Sequence, residues 1–193
     1  MSSESGDQRR TEALELFRLA YEHQMRGEIE EAIQLYKKSL ELCPTAESHT
    51  FLGWTYSFQG RWEDAIQECL LAIEVDPTFG NPYNDIGAYL VEQDRLDEAI
   101  PWFLRALRAP RYESYCFPHF NLGRVLERKR MFARALVEYK KALAENSQHL
   151  GALTAIRRLQ RQQQRQAAPL ATKDCNTAAP AKSRRPVVVA PQV

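Results

Sequence analysis

A pair of small residues recurs along this chain at a fixed distance, and this pattern restricts the fold more than any other feature. In each pair, a glycine or alanine precedes a second alanine by twelve residues, and the second alanines are 33, 34 and 36 residues apart. The four pairs are Ala20 and Ala32, Gly53 and Ala65, Gly87 and Ala99, and Gly123 and Ala135. A period of this length is typical of stacked helical hairpins, because one hairpin cannot bury its apolar face without a neighbour.

The segments around these pairs have the hydrophobic spacing of helices. Apolar side chains recur every three or four residues from Ile29 to Leu40, as expected of a helix with one buried face. Residues with turn chemistry separate the two segments of the first three repeats, namely Gly27, Gly60 and Asp94. Pro44 and Pro77 follow second segments, and they end helices because proline lacks an amide donor. Each repeat is therefore predicted to be a helix-turn-helix hairpin.

The second unit shows the recurring residues most completely, with Leu52-Gly53, Tyr56, Gly60, Ala65, Ala72 and Pro77. The same slots recur in register across residues 13–46, 46–79, 80–113 and 116–149. This pattern resembles the tetratricopeptide repeat, although the tryptophan slot of that family holds Leu16, His49, Tyr83 and His119 here. The resemblance implies an all-α fold, a right-handed superhelical solenoid of four hairpins.

The array is predicted to span residues 11–165 and to end in a capping helix over 150–165. Leu150, Leu153, Ile156 and Leu159 form one apolar stripe there, while arginines and glutamines cover the rest. Such a helix offers one face to the last hairpin and one to water. Residues 1–10 are expected to be a disordered N-terminus. Residues 166–193 are expected to be a disordered tail, because they hold too few large apolar side chains to offset chain entropy.

Other classes of protein are disfavoured by what the sequence lacks. There is no apolar run long enough for a transmembrane helix and no apolar segment of signal-peptide type behind residues 1–10, so a cytoplasmic protein is expected. No phosphate loop, GxSxG elbow or HExxH helix occurs. Cys116 and His119 are three residues apart, but no second ligand pair completes a zinc site. We therefore expect neither catalysis, nor a metal, nor a cofactor.

The net charge of +1 conceals a strong asymmetry along the chain. Residues 1–123 hold 11 Lys and Arg against 21 Asp and Glu, whereas residues 124–193 hold 15 against 4. Because sequence order is spatial order in a solenoid, we expect an acidic front and a basic rear. Such fields steer charged partners and favour head-to-tail contacts. The alternative interpretation is that the rear arginines are solvated helix surface.

The family resemblance implies that the first helix of each repeat lines a concave groove. It implies a partner-binding set of eight residues: Phe17, Tyr21, Trp54, Phe58, Asn84, Phe120, Arg124 and Arg128. Aromatic and arginine side chains are common anchors of binding interfaces. This order suits a peptide with apolar anchors and an acidic end. Alternatively, Trp54, Phe58 and Phe120 pack between neighbouring hairpins.

One mode of binding in the family lacks the residues it requires in this chain. Relatives that grip the terminal carboxylate of chaperones use lysine and asparagine on the first helix, and further basic slots in the third repeat. The corresponding positions here hold Phe17 and Tyr21, then Asn81 and Asp85. The carboxylate clamp is absent, so binding to chaperone tails is not expected.

The segment from Arg108 to His119 is the least regular part of the array. Two additional residues extend the spacing to 36 there, and the segment is unusually aromatic for a loop. It is interpreted either as a longer turn whose aromatic residues plug the junction or as a binding loop.

The sequence thus favours a non-catalytic scaffold or adaptor that binds a peptide segment or partner protein in its groove. Two alternatives remain open. One is binding of nucleic acid or an anionic surface by the basic C-terminal end, where Lys182-Ser183-Arg184-Arg185 adds to the capping arginines. The other is an oligomeric structural adaptor that stacks acidic front on basic rear.

Overall fold

The chain folds into a row of helical hairpins closed by a single helix. The computed structural model describes the backbone of residues 2–167 and the side chains of residues 6–165. The described residues form nine α-helices: α1 (Ser2–Arg26), α2 (Ile29–Leu42), α3 (Ala46–Phe58), α4 (Trp62–Val75), α5 (Asn81–Glu92), α6 (Leu96–Ala106), α7 (Cys116–Arg128), α8 (Phe132–Glu145) and α9 (Leu150–Ala167). Helices pair as α1–α2, α3–α4, α5–α6 and α7–α8, and α9 packs on α8. This is the all-α solenoid of four hairpins that the period predicts.

The first helix is longer than the sequence indicated. It begins at Ser2, so the described part of the segment expected to be disordered, residues 2–10, is helical. The Thr11 hydroxyl donates to the carbonyl of Asp7 at 2.9 Å within this stretch. Adding one residue to a helix that is already packed forms one hydrogen bond for each residue ordered, whereas starting a new helix is costly. The polar stretch before Ala13, of which residues 6–12 are exposed, therefore continues α1.

The small anchor residues allow the two helices of a hairpin to approach closely. A Cβ atom placed on Gly53 would lie 2.9 Å from the carbonyl oxygen of Ala65, closer than real Cβ contacts. A Cβ on Gly87 would lie 2.6 Å from the ring of Phe103. The pairing of small residues that defines the period thus marks where the two helices cross.

The turns between paired helices share one backbone conformation. Gly27, Gly60, Asp94 and Arg130 all have positive φ, at 79°, 69°, 62° and 60°. This left-handed conformation costs glycine little and is unfavourable for residues with a Cβ. The fourth repeat, in which no glycine or aspartate marked the turn, makes the same turn with Arg130.

The last helix covers the apolar face that α8 would otherwise expose. Ala152, Ile156 and Leu159 are buried against it, which agrees with the predicted cap. Leu150 is 76% exposed and so is not part of the apolar stripe assigned to it. The reason is that Leu150 is the first residue of α9, before the helix meets α8. Helix α9 extends to Ala167, so residues 166 and 167 of the predicted disordered tail are helical, and the rest of that tail lies outside the described residues.

Candidate binding groove

A continuous path of aromatic rings runs along the first helices of repeats one and two. The ring of Phe51 is at its centre, with centroids 5.2 Å from Phe17, 5.7 Å from Tyr21 and 5.8 Å from Trp54. Phe58 extends the path, since its ring lies 5.3 Å from that of Trp54. We call Phe17, Tyr21, Phe51, Trp54 and Phe58 the aromatic surface. Edge-to-face and tilted contacts of this kind hold neighbouring rings in place.

The aromatic surface is partly core and partly accessible. Phe17 is half-buried and contacts the fully buried Tyr36 at 5.6 Å between centroids, so it belongs largely to the packing of the first hairpin. Tyr21, Trp54 and Phe58 are 40%, 36% and 55% exposed. Exposed aromatic side chains that adjoin one another are uncommon on a protein without partners and mark interaction surfaces. The accessible end of this surface is therefore a candidate contact region.

Next to Trp54, the groove deepens into a cavity of about 370 Å³, which we call the central cavity. It is formed by three first helices and the loop before α7. Its lining residues are Thr50, Phe51 and Trp54 of α3, Asn81, Asn84 and Asp85 of α5, Tyr112 and Ser114 of the loop, and Phe117 of α7. The lining thus combines four aromatic rings with amides, hydroxyls and one carboxyl group. No lysine, arginine or histidine is among these described lining residues.

The irregular loop between α6 and α7 folds back onto the junction between repeats two and three. The amide of Arg111 donates to the carbonyl of Thr78, and the amide of Gly80 donates to the carbonyl of Arg111, both at 3.0 Å. Tyr112 is buried, and a Cβ on Gly80 would lie only 2.4 Å from its side chain. Tyr112 therefore plugs the junction, as one of the two sequence interpretations predicts. Because Tyr112 and Ser114 also line the central cavity, the same loop completes a candidate site.

The side chain of Arg111 fastens this loop to repeat two. Its guanidinium donates to the Glu47 carboxylate at 2.7 Å and lies 2.8 Å from that of Asp76. It also lies over the Phe79 ring, 4.1 Å from the centroid. The charge of Arg111, which precedes the cavity residue Tyr112 in the chain, is therefore already matched by carboxylates. This arrangement positions the loop without adding an unpaired cation to the groove.

Asp85 is the one carboxyl group among the described residues that line the central cavity. It is half-buried, and Asn84 Nδ2 donates to its Oδ1 at 3.2 Å. Asn121 Nδ2 in turn donates to Asn84 Oδ1 at 3.1 Å, which fixes the orientation of the Asn84 amide. Burial raises the pKa of Asp85 to about 7, and the hydrogen bond from Asn84 offsets this only in part. Removing the carboxylate from water without a positive partner disfavours its charged form.

The predicted arginines lie on α7 and are engaged within the protein. Arg124 Nη2 donates to the Glu92 carboxylate at 3.1 Å. Arg128 donates to the carbonyl of Val91 and to the carboxylate of Asp94, each at 2.6 Å. These contacts join repeat four to repeat three. An acidic group on a partner would have to compete with carboxylates that are already in place.

The remaining predicted residue of the rear, Phe120, lies under the cap. Its ring centroid is 5.7 Å from that of Tyr139 and 4.6 Å from that of His149, and it closely approaches Gly151. The structure therefore brings Phe17, Tyr21, Trp54 and Phe58 together and places Asn84 in the cavity beside them. Phe120 packs between the last hairpin and α9.

The basic end of the molecule is described up to the end of α9. Arg157, Arg161 and Arg165 are exposed there, while Arg158 lies 2.6 Å from the carboxylate of Glu127. The basic segment 182–185 lies outside the described residues.

Within residues 6–165, no cluster of three or more His, Cys, Asp or Glu could hold a metal ion. Among the described helices, none is both long and apolar enough to cross a membrane.

Sequence reasoning overlooked part of this site. Phe51, Asp85 and Asn121 occupy equivalent slots, 34 and 36 residues apart, yet only Asp85 had been noted, as a missing basic residue. The signal available was a carboxyl residue in the slot that holds phenylalanine one repeat earlier. No pattern in the sequence indicated that Tyr112 and Ser114 reach the cavity, because the loop departs from the period.

Comparison with models of known protein families gives matches to the first two repeats of this chain. Residues 13–46 and 46–79 match models described as Tetratricopeptide repeat. Direct comparison of the sequence with functionally characterised proteins gives no match.

Among solved structures, the fold is similar to that of Pseudomonas aeruginosa PilF, with a TM-score of 0.74 and 25% identity over 85% of this chain and 72% of that chain. PilW, a widely conserved type IV pilus biogenesis factor, gives a TM-score of 0.71 and 20% identity over 78% of this chain and 69% of that one. YrrB, a tetratricopeptide repeat protein with an unusual peptide-binding site, gives a TM-score of 0.58 and 21% identity over 79% of this chain and 78% of that one.

Proposed function

Because this chain is a tetratricopeptide repeat protein, a type of scaffold for protein interactions, we propose that it binds a peptide segment of a partner protein in its concave groove. The observation that carries this proposal is the exposed end of the aromatic surface, Trp54 and Phe58, beside the central cavity. These two rings would supply apolar contact area, and the cavity would supply polar groups that orient the peptide.

The groups in the cavity suit an extended peptide backbone. Asn81, Asn84 and Ser114 carry both donors and acceptors, which can pair with the amides and carbonyls of a bound chain. A bound segment that leaves such groups unpaired would lose affinity, since buried polar groups need partners. The proposed interface therefore combines aromatic anchors with a small set of hydrogen-bonding groups.

This proposal is tested by selecting binders from a display library of random peptides on the immobilised protein. The affinity of the selected peptides is then measured by fluorescence anisotropy. We expect Trp54→Ala to weaken binding by about 30-fold or more, because a central aromatic anchor contributes roughly 2 kcal/mol. Circular dichroism and thermal unfolding establish that the variant is folded.

Trp102→Ala is the matched control, because it removes a tryptophan from α6, a second helix outside the groove. Its ring packs against Tyr83 and lies under Arg105. We expect the affinity of this variant to stay within about twofold of the original protein. Equal losses in the two variants, or no peptide that depends on Trp54, would reject the groove as the binding site.

A further inference from the structure

We infer that the central cavity binds a lysine or arginine side chain of the partner peptide, with Asp85 as its counter-ion. This inference rests on the proposed function and specifies the chemistry that the same groove recognises. It differs from the expectation drawn from the sequence, which was a peptide with apolar anchors and an acidic end.

The charges around the groove support a cationic occupant. Asp85 has a neutral amide, Asn84, as its hydrogen-bond donor, and no basic side chain is among the described residues that line the cavity. Arg111, Arg124 and Arg128 are each paired with carboxylates elsewhere. Residues 1–123 carry ten more acidic than basic side chains, so the field over this part of the molecule attracts cations.

The walls of the cavity suit the shape of a long basic side chain. Trp54, Phe51 and Phe117 line it together with Asp85. Aromatic faces attract ammonium and guanidinium groups, and they also cover the apolar stem of lysine or arginine. A carboxylate and aromatic rings that line the same cavity would hold the charged end and the stem at once.

The ionisation of Asp85 makes this occupant distinguishable from a neutral one. Its pKa of about 7 means that the carboxyl group is partly protonated near neutral pH when the cavity is empty. A cation beside it favours the charged form, so binding releases a proton to solvent below this pH. The affinity for a basic side chain should then rise with pH until Asp85 is fully ionised.

The other titratable groups that face Asp85 do not change charge over this range. They are Cys69 of α4, Tyr89 of α5 and Tyr112 of the loop. Burial raises the pKa of each of these groups, so all three stay neutral at and below pH 8. The contributions of α3 and α7 to the cavity are Thr50, Phe51, Trp54 and Phe117, which do not titrate.

The test uses the full chain and those peptides from the display library whose binding is weakened by Trp54→Ala. We expect these peptides to share a lysine or arginine at one position. Replacing that residue by norleucine or citrulline should lower the affinity at pH 8 by about tenfold or more. Asp85→Asn, which keeps the shape of the side chain, should cause a similar loss for the basic peptide and none for its neutral version.

Glu92→Gln is the matched control, because it neutralises another carboxylate on α5 that already has Arg124 as its partner. This variant should change the affinity by less than about twofold. For the original protein, the affinity for the basic peptide should fall as pH drops below 7 and level off at about the loss that Asp85→Asn causes at pH 8. The same measurement with Asp85→Asn should show no such dependence.

The outcomes separate this inference from the proposed function. Two results would overturn the inference while leaving groove binding in place. In the first, the peptides that depend on Trp54 share an acidic residue or no charged residue. In the second, Asp85→Asn leaves the affinity for the basic peptide and its pH dependence unchanged. Failure to select any peptide that depends on Trp54 would overturn both. The inference would be supported if the peptides share a basic residue, and if replacing that residue and replacing Asp85 by Asn lower the affinity by similar factors.

Discussion

The front and rear of the groove use equivalent slots for different purposes. One slot of the first helix holds Tyr21 in repeat one, Trp54 in repeat two, Ala88 in repeat three and Arg124 in repeat four. In the front two repeats, the side chain is an accessible ring. In the fourth repeat, it is a guanidinium paired with Glu92 of the repeat before it. The small Ala88 lies between these two kinds of surface.

This difference shows that the accessible chemistry of a repeat array depends on which side chains remain without an internal partner. The rear arginines hold repeat four against repeat three through Glu92, Val91 and Asp94. The front rings contact one another, yet their outer faces remain exposed. Binding is therefore expected at the front and centre, and the paired arginines are expected to contribute mainly to the contact between repeats.

The largest effect is expected at the boundary between the two regions, where Tyr112 fills the junction. Tyr112→Ala should lower the free energy of unfolding by about 3 kcal/mol or more, because it removes a buried aromatic ring and leaves a void beside Gly80. Urea unfolding measures this change. Tyr21→Ala, which removes an exposed tyrosine of the front, should cost about 1 kcal/mol or less. Similar losses at the two positions would contradict the role given to the loop.

Replacing Asp85 is expected to change stability by a smaller amount and in the opposite direction, that is, to stabilise the protein. Its folded pKa of about 7 lies above the ordinary value of 3.8. The native state therefore binds more protons than the unfolded state between these values, and stability falls as pH rises through this window. Because Asp85 is only half-buried, solvent screens part of this penalty. Asp85→Asn should therefore increase the free energy of unfolding by about 2 kcal/mol at pH 8 and by almost nothing at pH 4.

Thermal or urea unfolding across this pH range measures the effect. Asp94→Asn is the control from the rear, because it weakens the ion pair with Arg128. It should give a small loss of stability at pH 8 rather than a gain. If Asp85→Asn were equally stabilising at pH 4 and pH 8, burial of the charged carboxyl group would not explain the gain.

The smallest effect concerns the turns, where front and rear also differ. Gly27 and Gly60 make the left-handed turn in the front repeats, whereas Asp94 and Arg130 make it in the rear. Arg130→Gly should stabilise the protein by about 0.5–1 kcal/mol, because glycine adopts this conformation without a Cβ penalty. Gly60→Ala should cost a comparable amount for the same reason. Urea unfolding of both variants checks the pair, and a loss with Arg130→Gly would disprove the explanation.

Much of the fold and some of the candidate site could be predicted from the sequence. The period predicted the first helices, and the family resemblance implied that Trp54, Phe58 and Asn84 face the groove on them. Asp85 was not recognised as a site residue, because its significance depends on the absence of a cation nearby. The contribution of Ser114 was also missed, since the loop follows no period.

By itself, the sequence determined the hairpins and their order, since small residues at regular intervals allow helices to cross closely and apolar spacing selects the buried faces. Only the tertiary structure decided which charges are paired and which remain available. Arg111 contacts Glu47, which is 64 residues away, and Arg128 contacts Asp94, which is 34 residues away. Such pairs depend on distances across the solenoid, and residue spacing along the chain does not specify them. The physical reason is that helix formation is local, whereas the partner of a charged side chain is set by the packing of separate repeats.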